Sequence, residues 1–161
     1  MAGHNALLFG SSVFDDCDSI VIPWCTMLPF EFTTKGPPVS LQTRRRQRLQ
    51  EWKQRVRDAA LLCVPAGEAP VTDHVNVTIT YYYEGGSPDV DNIIKPIQDA
   101  LNGVVFVDDS QVVSTESRKK SLDGSYRLKG ESRILLSAFA DGVDFLHVRV
   151  SEPPAGQDQI L

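Results

Sequence analysis

The sequence predicts an α+β protein, a single compact domain in which helices pack on a mixed β-sheet. Its length of 161 residues fits one domain. Its composition, 42% hydrophobic and 23% charged residues, is typical of a globular protein. Segments of strand-like and helix-like periodicity follow one another in the order β-α-β-α-β-β-α-β. No apolar run reaches the roughly 18 residues that would predict a membrane span.

Two elements are predicted in the first part of this domain. Residues 28–34 are predicted to form a strand, which ends at a Gly-Pro-Pro turn. Residues 43–63 are predicted to form a helix with Thr43 as its N-cap, because apolar side chains recur at helical spacing. The apolar stripe of this helix contains Leu49, Trp52, Val56 and Cys63. We therefore expect Trp52 to lie in the core.

Alternating apolar and polar side chains predict a long strand over residues 71–83, whose three consecutive tyrosines are expected to pack within the sheet. A second helix is predicted over residues 92–102, with Pro96 in its first turn, where proline is tolerated. The remaining predicted elements are a strand at 104–107, a strand from Gln111 to about Arg118, a short helix at 132–140 and a strand at 144–150.

Charge is distributed unevenly along the chain. There are 16 Lys and Arg against 21 Asp and Glu, a net charge of −5. Residues 1–26 and 151–161 carry acidic residues and no Lys or Arg, which leaves residues 27–150 neutral. We expect an N-terminal extension over 1–26, a folded domain over 27–150 and a flexible tail over 151–161, and Met27 is an alternative natural start. A neutral domain with concentrated basic regions can still bind nucleic acid.

The cysteines and the N-terminal residues indicate the compartment. Cys17, Cys25 and Cys63 are odd in number and form no C-x-x-C motif, so they fit neither a disulfide framework nor a zinc site. The first residues lack the basic and apolar regions of a secretory signal. We therefore expect a reduced, cytoplasmic protein that does not associate with membranes.

The first predicted helix is strongly basic. Its arginines suit phosphate groups, because the guanidinium fork matches two phosphate oxygens. The alternative is an ordinary solvated helix face. The basic residues are Arg44, Arg45, Arg46, Arg48, Lys53, Arg55 and Arg57.

A cluster of acids lies around the second predicted helix. Asp91, Lys95 and Asp99 are spaced four residues apart and so share one helix face. Asp89 precedes the helix, and Asp108 and Asp109 follow it. Converging carboxylates repel one another unless a divalent cation lies between them, and Mg²⁺ prefers oxygen ligands. The cluster is therefore a candidate metal site, and the alternative is that these acids are helix caps and turn residues.

The pattern D-x-D-N-x-x-K-x-x-x-D-A-L, followed by D-D-x-Q, resembles the RusA-type Holliday junction resolvases. The matching positions are Asp89, Asp91, Asn92, Lys95, Asp99, Ala100, Leu101, Asp108, Asp109 and Gln111. The Gly-Pro-Pro turn and the basic helix around Trp52 extend the resemblance, which covers about residues 28–150. One departure is the Gly-Gly-Ser-Pro segment at 85–88, where this family often has basic residues.

The resemblance implies a homodimeric endodeoxyribonuclease that uses Mg²⁺, with Mn²⁺ as a substitute. It would resolve four-way DNA junctions by paired symmetric nicks, in recombination and repair. The implied catalytic residues are Asp89, Asp91, Lys95 and Asp109. The implied metal ligands are Asp89, Asp91 and Asp109, with Asp108 as a further candidate. The implied DNA contacts are Arg44, Arg45, Arg46, Arg48, Lys53, Arg55, Lys119 and Lys120.

Two alternative functions remain open at this stage. One is a DNA-binding module of the same fold that has lost catalysis, although all four catalytic positions are filled. The other is a metal-dependent phosphatase, although a small phosphate ester gives no reason for so many arginines on one helix. Cleavage of branched DNA separates the leading hypothesis from both.

Overall fold

The computed structural model describes residues 27–86, 89–126 and 130–154. The predicted extension over 1–26 and the end of the predicted tail, residues 155–161, lie outside these ranges. The described elements are β1 Phe30–Lys35, α1 Arg46–Leu61, β2 Val75–Tyr83, α2 Ile94–Leu101, β3 Val112–Ser121, α3 Arg133–Ala140 and β4 Phe145–Ser151. Short 3₁₀ turns, Asp91–Ile93 and Asp109–Gln111, precede α2 and β3.

The four strands form one mixed sheet in the order β1-β4-β2-β3. Strand β4 is antiparallel to both β1 and β2, whereas β3 is parallel to β2. The parallel pair requires a crossover connection, and α2 lies within it. The predicted α+β class with a mixed sheet is therefore confirmed.

The two faces of the sheet have different coverings. Helices α1 and α2 belong to the main core on one face, where Trp52 and Tyr81 are fully buried. Helix α3 covers part of the other face, where Tyr82 stacks on Phe145 with their ring centroids 4.6 Å apart. Successive strand residues point to opposite faces, so Tyr81 and Tyr82 pack in different clusters. The predictions for Trp52 and for the tyrosine run are thus confirmed.

One predicted strand is not formed. Residues 104–107 continue from α2 as a turn, in which the N–H groups of Val104 and Val105 both donate to the Leu101 carbonyl oxygen. Gly103 has a φ of 69°, which favours glycine and reverses the chain. The run is apolar because Val104, Val105 and Phe106 are buried in the core. Phe106 forms only isolated bridges, to Val71 and Asn102.

Several predicted boundaries move. Helix α1 begins at Arg46, and the Thr43 hydroxyl accepts a hydrogen bond from the Arg45 N–H at 3.4 Å without capping the helix. Strand β2 begins at Val75, because Val71 is limited to its isolated bridge. Strand β3 extends to Ser121, beyond the predicted end near Arg118, so it includes Lys119 and Lys120. No helix within the described ranges has the length and apolar character needed to cross a membrane.

Tyr81 makes a partly buried polar contact that should appear in the pH dependence of stability. Its hydroxyl donates to Asp144 Oδ2 at 2.6 Å, and Asp144 also accepts from the Glu84 N–H at 2.9 Å. Burial, then this hydrogen bond and the charge of Asp144, raise the pKa of Tyr81. A raised pKa in the folded state means that the stabilisation is complete below the unfolded pKa and is lost as pH rises through the folded pKa.

We expect Tyr81→Phe to lower the free energy of unfolding near neutral pH by about 1–2 kcal/mol, because it removes a hydrogen bond to a charged group. Between about pH 8 and about pH 11, the variant should lose less stability than the wild type. Urea denaturation at both pH values measures this. Tyr83→Phe is the matched control, since Tyr83 is only half-buried. Equal losses in wild type and Tyr81→Phe would contradict this role.

Candidate active site

The loop that enters α2 is held from two sides. The Ser117 hydroxyl on β3 donates to the carbonyl oxygen of Val90 at 3.0 Å, between the two exposed acids Asp89 and Asp91. The N–H of Leu41 donates to the Asn92 carbonyl oxygen at 2.9 Å, so the segment before α1 packs on the same loop. The start of the basic helix is therefore close to the acids.

Helix α2 is also fixed against its neighbours. Gln98 on α2 donates to the Thr115 hydroxyl on β3 at 3.0 Å. The Arg57 guanidinium on α1 donates to the Asn102 carbonyl oxygen at 2.9 Å, at the end of α2. A cation at this end of a helix also interacts favourably with the helix dipole. These contacts hold the acid-bearing face of α2 in one orientation.

Lys95 lies between two aspartates. Its Nζ forms an ion pair with Asp99 Oδ1 at 3.1 Å, one helical turn away, and a second ion pair with Asp109 Oδ2. The predicted shared face of Lys95 and Asp99 is thus confirmed. The hydrogen bond to Asp109, followed by the one to Asp99, raises the pKa of Lys95 above its usual value. Lys95 is therefore a stable cation, and its side chain is 51% exposed.

Asp99 binds a second lysine. Its Oδ2 accepts from Lys53 Nζ on α1 at 2.9 Å, while Oδ1 faces Lys95. Burial acts to raise the pKa of Asp99, but the hydrogen bonds from Lys53 and Lys95 outweigh it and hold the pKa below its usual value. This carboxylate is consequently ionised and shared between the two helices.

Asp108 is a helix cap. Its Oδ1 accepts from the Ser110 N–H at 2.9 Å, and its own N–H donates to Gln111 Oε1 at 2.8 Å. The Ser110 hydrogen bonds lower the pKa of Asp108. Gln111 Nε2 also donates to the carbonyl oxygens of Val71 and Asp73, each at 2.8 Å. This network fixes the turn that carries the neighbouring Asp109, and it gives Asp108 the capping role that the alternative predicts.

The four predicted metal ligands do not come together as a metal site. Among the described residues, no three His, Cys, Asp or Glu side chains are placed so that they hold a metal ion. Asp109 pairs with Lys95, and Asp108 accepts a hydrogen bond from the Ser110 N–H. Asp89 and Asp91 are exposed. In this arrangement Asp109 and Asp108 are engaged by other groups, and the ligand assignment stays a prediction.

The predicted DNA-binding residues fall into separate groups. Lys53 lies on the edge of α1 that faces α2, beside Arg57, which is not among the predicted DNA contacts. The predicted arginines of this region are exposed, and none of their side chains forms an ion pair or hydrogen bond with another described residue. They are Arg44, Arg45, Arg46, Arg48 and Arg55, and all but Arg44 line one shallow concavity.

Lys119 and Lys120 are adjacent on β3 and therefore point to opposite faces of the sheet. Lys120 Nζ lies 5.9 Å from the centroid of the Tyr82 ring, on the face that α3 partly covers. Lys119 has the same strand parity as Thr115 and Ser117, whose hydroxyls contact α2 and its entry loop. Of these two lysines, only Lys119 therefore lies on the sheet face that contacts α2 and its entry loop.

Two structural roles were not predicted from the sequence. The Lys53–Asp99 pair joins residues 46 positions apart, and a single sequence contains no signal for such a pairing. The role of Gln111 did have a signal, since an acidic N-cap followed three residues later by Gln is the spacing of a capping box.

Comparisons with known proteins identify a family. The model of the family described as "Endodeoxyribonuclease RusA" matches residues 30–129 of the chain. The matched segment includes β1, α1, β2, α2 and β3, together with Asp89, Asp91, Lys95 and Asp109. No curated protein matches the chain.

Proposed function

Because the chain belongs to the endodeoxyribonuclease RusA family, a family of nucleases that resolve Holliday junctions, we propose that it nicks branched DNA at the site around Lys95. The finer proposal is a structure-selective enzyme that resolves four-way junctions in recombination and repair. The observation that supports it most is the Lys95 ammonium, held by two aspartates beside exposed acids and within reach of a basic helix.

Lys95 has the chemistry to stabilise a phosphodiester as it is attacked. An ammonium group has three hydrogen-bond donors, and two of them face Asp99 and Asp109. The third is available to a phosphate oxygen, because half of the side chain is exposed. A fixed cation that faces the scissile phosphate lowers the energy of a transition state in which negative charge accumulates on oxygen.

The exposed arginines Arg44, Arg45, Arg46, Arg48 and Arg55, together with Lys119, are proposed to hold the DNA backbone. The arginines lie at the start and outer face of α1, next to the segment whose Leu41 N–H binds the Asn92 carbonyl. Contacts of this kind recognise backbone shape and weaken as salt concentration rises. Lys120 lies on the opposite face of the sheet, and we do not include it in this surface.

We further propose that cleavage depends on a divalent cation, with Mg²⁺ as the natural ion and Mn²⁺ as a substitute. Asp89, Asp91 and Asp108 are exposed acids, and they would repel a DNA phosphate in the absence of cations. For Asp109 to become a ligand, it would have to exchange Lys95 for the metal. Asp89, Asp91 and Asp109 are the proposed ligands.

The proposed active form is a homodimer. Resolution of a four-way junction requires two symmetric nicks, and a two-fold dimer places two equivalent sites on the two-fold symmetric substrate. A monomer has only one site and would leave singly nicked junctions.

The test is cleavage of a synthetic four-way junction beside linear duplex of the same sequence, first with Mg²⁺ and then with EDTA. We expect paired nicks in the junction, no cleavage of the duplex and no cleavage in EDTA. Binding of the junction without any nicking in Mg²⁺ or Mn²⁺ would reject the catalytic proposal and favour the DNA-binding module. Turnover of a chromogenic phosphate ester without DNA cleavage would instead favour the phosphatase.

A further inference from the structure

Four side chains of alternating charge form a continuous chain of ion pairs from α1 to the turn before β3. Lys53 Nζ lies 2.9 Å from Asp99 Oδ2, Asp99 Oδ1 lies 3.1 Å from Lys95 Nζ, and Lys95 in turn pairs with Asp109. We call these four residues the ion-pair chain. Three separate elements contribute to it, so the position of each member depends on its neighbours.

Asp99 is one of the two inner members of the ion-pair chain. Each of its two carboxylate oxygens faces a different lysine, so the carboxylate cannot turn without breaking one of the two contacts. Asp99 and Lys53 are 28% and 23% exposed, against 51% for Lys95. Water and salt screen the ion pair between the two less exposed residues less strongly. Lys53 and Asp99 therefore form the more firmly held end of the ion-pair chain.

Lys53 is placed differently from the other basic residues of α1. Its ammonium faces α2, on the same helix edge as Arg57, which caps the end of α2. Arg48 and Arg55 lie seven residues apart on another side of α1, where both are exposed. For Lys53 to bind a DNA phosphate, it would have to leave a half-buried carboxylate.

We propose that Lys53 and Asp99 are positioning residues for Lys95, and that Lys53 supports cleavage through Asp99 without contacting DNA. This proposal rests on the proposed nuclease function. A lysine has a flexible four-carbon stem, and an exposed ion pair one helical turn away restrains it only weakly. The bond to Lys53 fixes the Asp99 carboxylate, which leaves a single oxygen for Lys95. Without Lys53, both oxygens can turn to Lys95 and draw its ammonium away from the phosphate.

Two measurements separate a positioning role from a DNA contact. Junction affinity is measured in EDTA by fluorescence anisotropy, and the nicking rate is measured with enzyme in excess over junction. For Lys53→Met we expect a nicking rate lower by about tenfold or more, because small misplacements of a reacting group are costly. Its junction affinity should be close to that of the wild type. Arg48→Ala is the comparison, and it should lose junction affinity.

Additional variants test the coupling. Lys53→Arg keeps the charge and should restore part of the nicking rate. Lys53→Met combined with Asp99→Asn should be little worse than the slower single variant, because both substitutions break the same chain. Lys35→Met is the matched control, since Lys35 forms a surface pair with Asp141 at 3.0 Å, and it should nick at the wild-type rate.

A readout that does not require activity uses the reactivity of the Lys95 amine. The protein is acylated briefly, and mass spectrometry measures how much Lys95 is modified, with Lys35 as internal reference. In both Lys53→Met and Asp99→Asn, we expect the acylation rate of Lys95 to differ from that in the wild type. The proposal is overturned if Lys95 reactivity is unchanged, or if Lys53→Met loses affinity like Arg48→Ala and nicks normally once bound. A wild type that cuts no branched DNA rejects the proposed function, whereas the reactivity still tests the ion-pair chain.

Discussion

Asp91→Asn is expected to lower the rate of junction nicking by about 100-fold or more while the fold is unchanged. The substitution keeps the shape of the side chain and removes its charge, on which binding of a cation would depend. Asp91 is exposed, and its side chain forms no ion pair or hydrogen bond with another described residue, so its charge does not support the fold. The unfolding midpoint and circular dichroism should therefore match those of the wild type. Junction affinity in EDTA should be equal or higher, because one negative charge beside the phosphates is gone.

Asp123→Asn is the control for this result. Asp123 is another exposed aspartate, in the turn that follows β3. Its neutralisation should leave the nicking rate unchanged, which separates the effect of Asp91 from a general effect of net charge. Nicking by Asp91→Asn at the wild-type rate would remove Asp91 from the active site, and loss of junction affinity in that variant would give it a different role.

Trp52→Ala should lower the free energy of unfolding by about 3–5 kcal/mol, the usual cost of replacing a large buried aromatic residue with alanine. Trp52 is 1% exposed and belongs to the main core between α1 and the sheet. The loss is a large part of the roughly 5–15 kcal/mol that stabilises a typical domain. Urea denaturation measures it, and Trp52→Leu gives a smaller loss if the alanine variant does not fold.

Leu62→Ala is the matched control for Trp52. Leu62 follows the same helix but is 88% exposed, so its truncation should change stability by no more than about 0.5 kcal/mol. Equal effects of the two substitutions would mean that α1 does not pack against the sheet through Trp52. The contrast tests the orientation of the basic helix, on which the arrangement of its arginines depends.

The elements with strong periodicity were predicted correctly from the sequence. Alternation along residues 75–83 and the apolar stripe of α1 follow directly from which side chains are buried, and burial is a local property of the pattern. The predicted strand at 104–107 is wrong because an apolar segment can be buried as a turn as well as a strand. In the structure it is the positive φ of Gly103 and the packing of Phe106 that determine its form.

One contact of the candidate site was predicted from the sequence, and the others were not. Spacing along α2 gave the Lys95–Asp99 pair, because residues four apart share a helix face. The contact of Lys95 with Asp109 and the contact of Lys53 with Asp99 depend on how α1, α2 and the turn before β3 pack together. These are long-range contacts, and a linear pattern in one sequence contains no information about them.

The sequence by itself therefore determined the fold class, the shared helix face of Lys95 and Asp99, and the basic character of α1. Each of these follows from residue type and local spacing. Only the tertiary structure decided that Asp108 caps a turn, that Lys53 faces α2, and that Lys119 and Lys120 occupy opposite faces of the sheet. The physical reason is that a charged side chain pairs with the nearest available partner, and which partner is nearest is fixed only when separate elements pack.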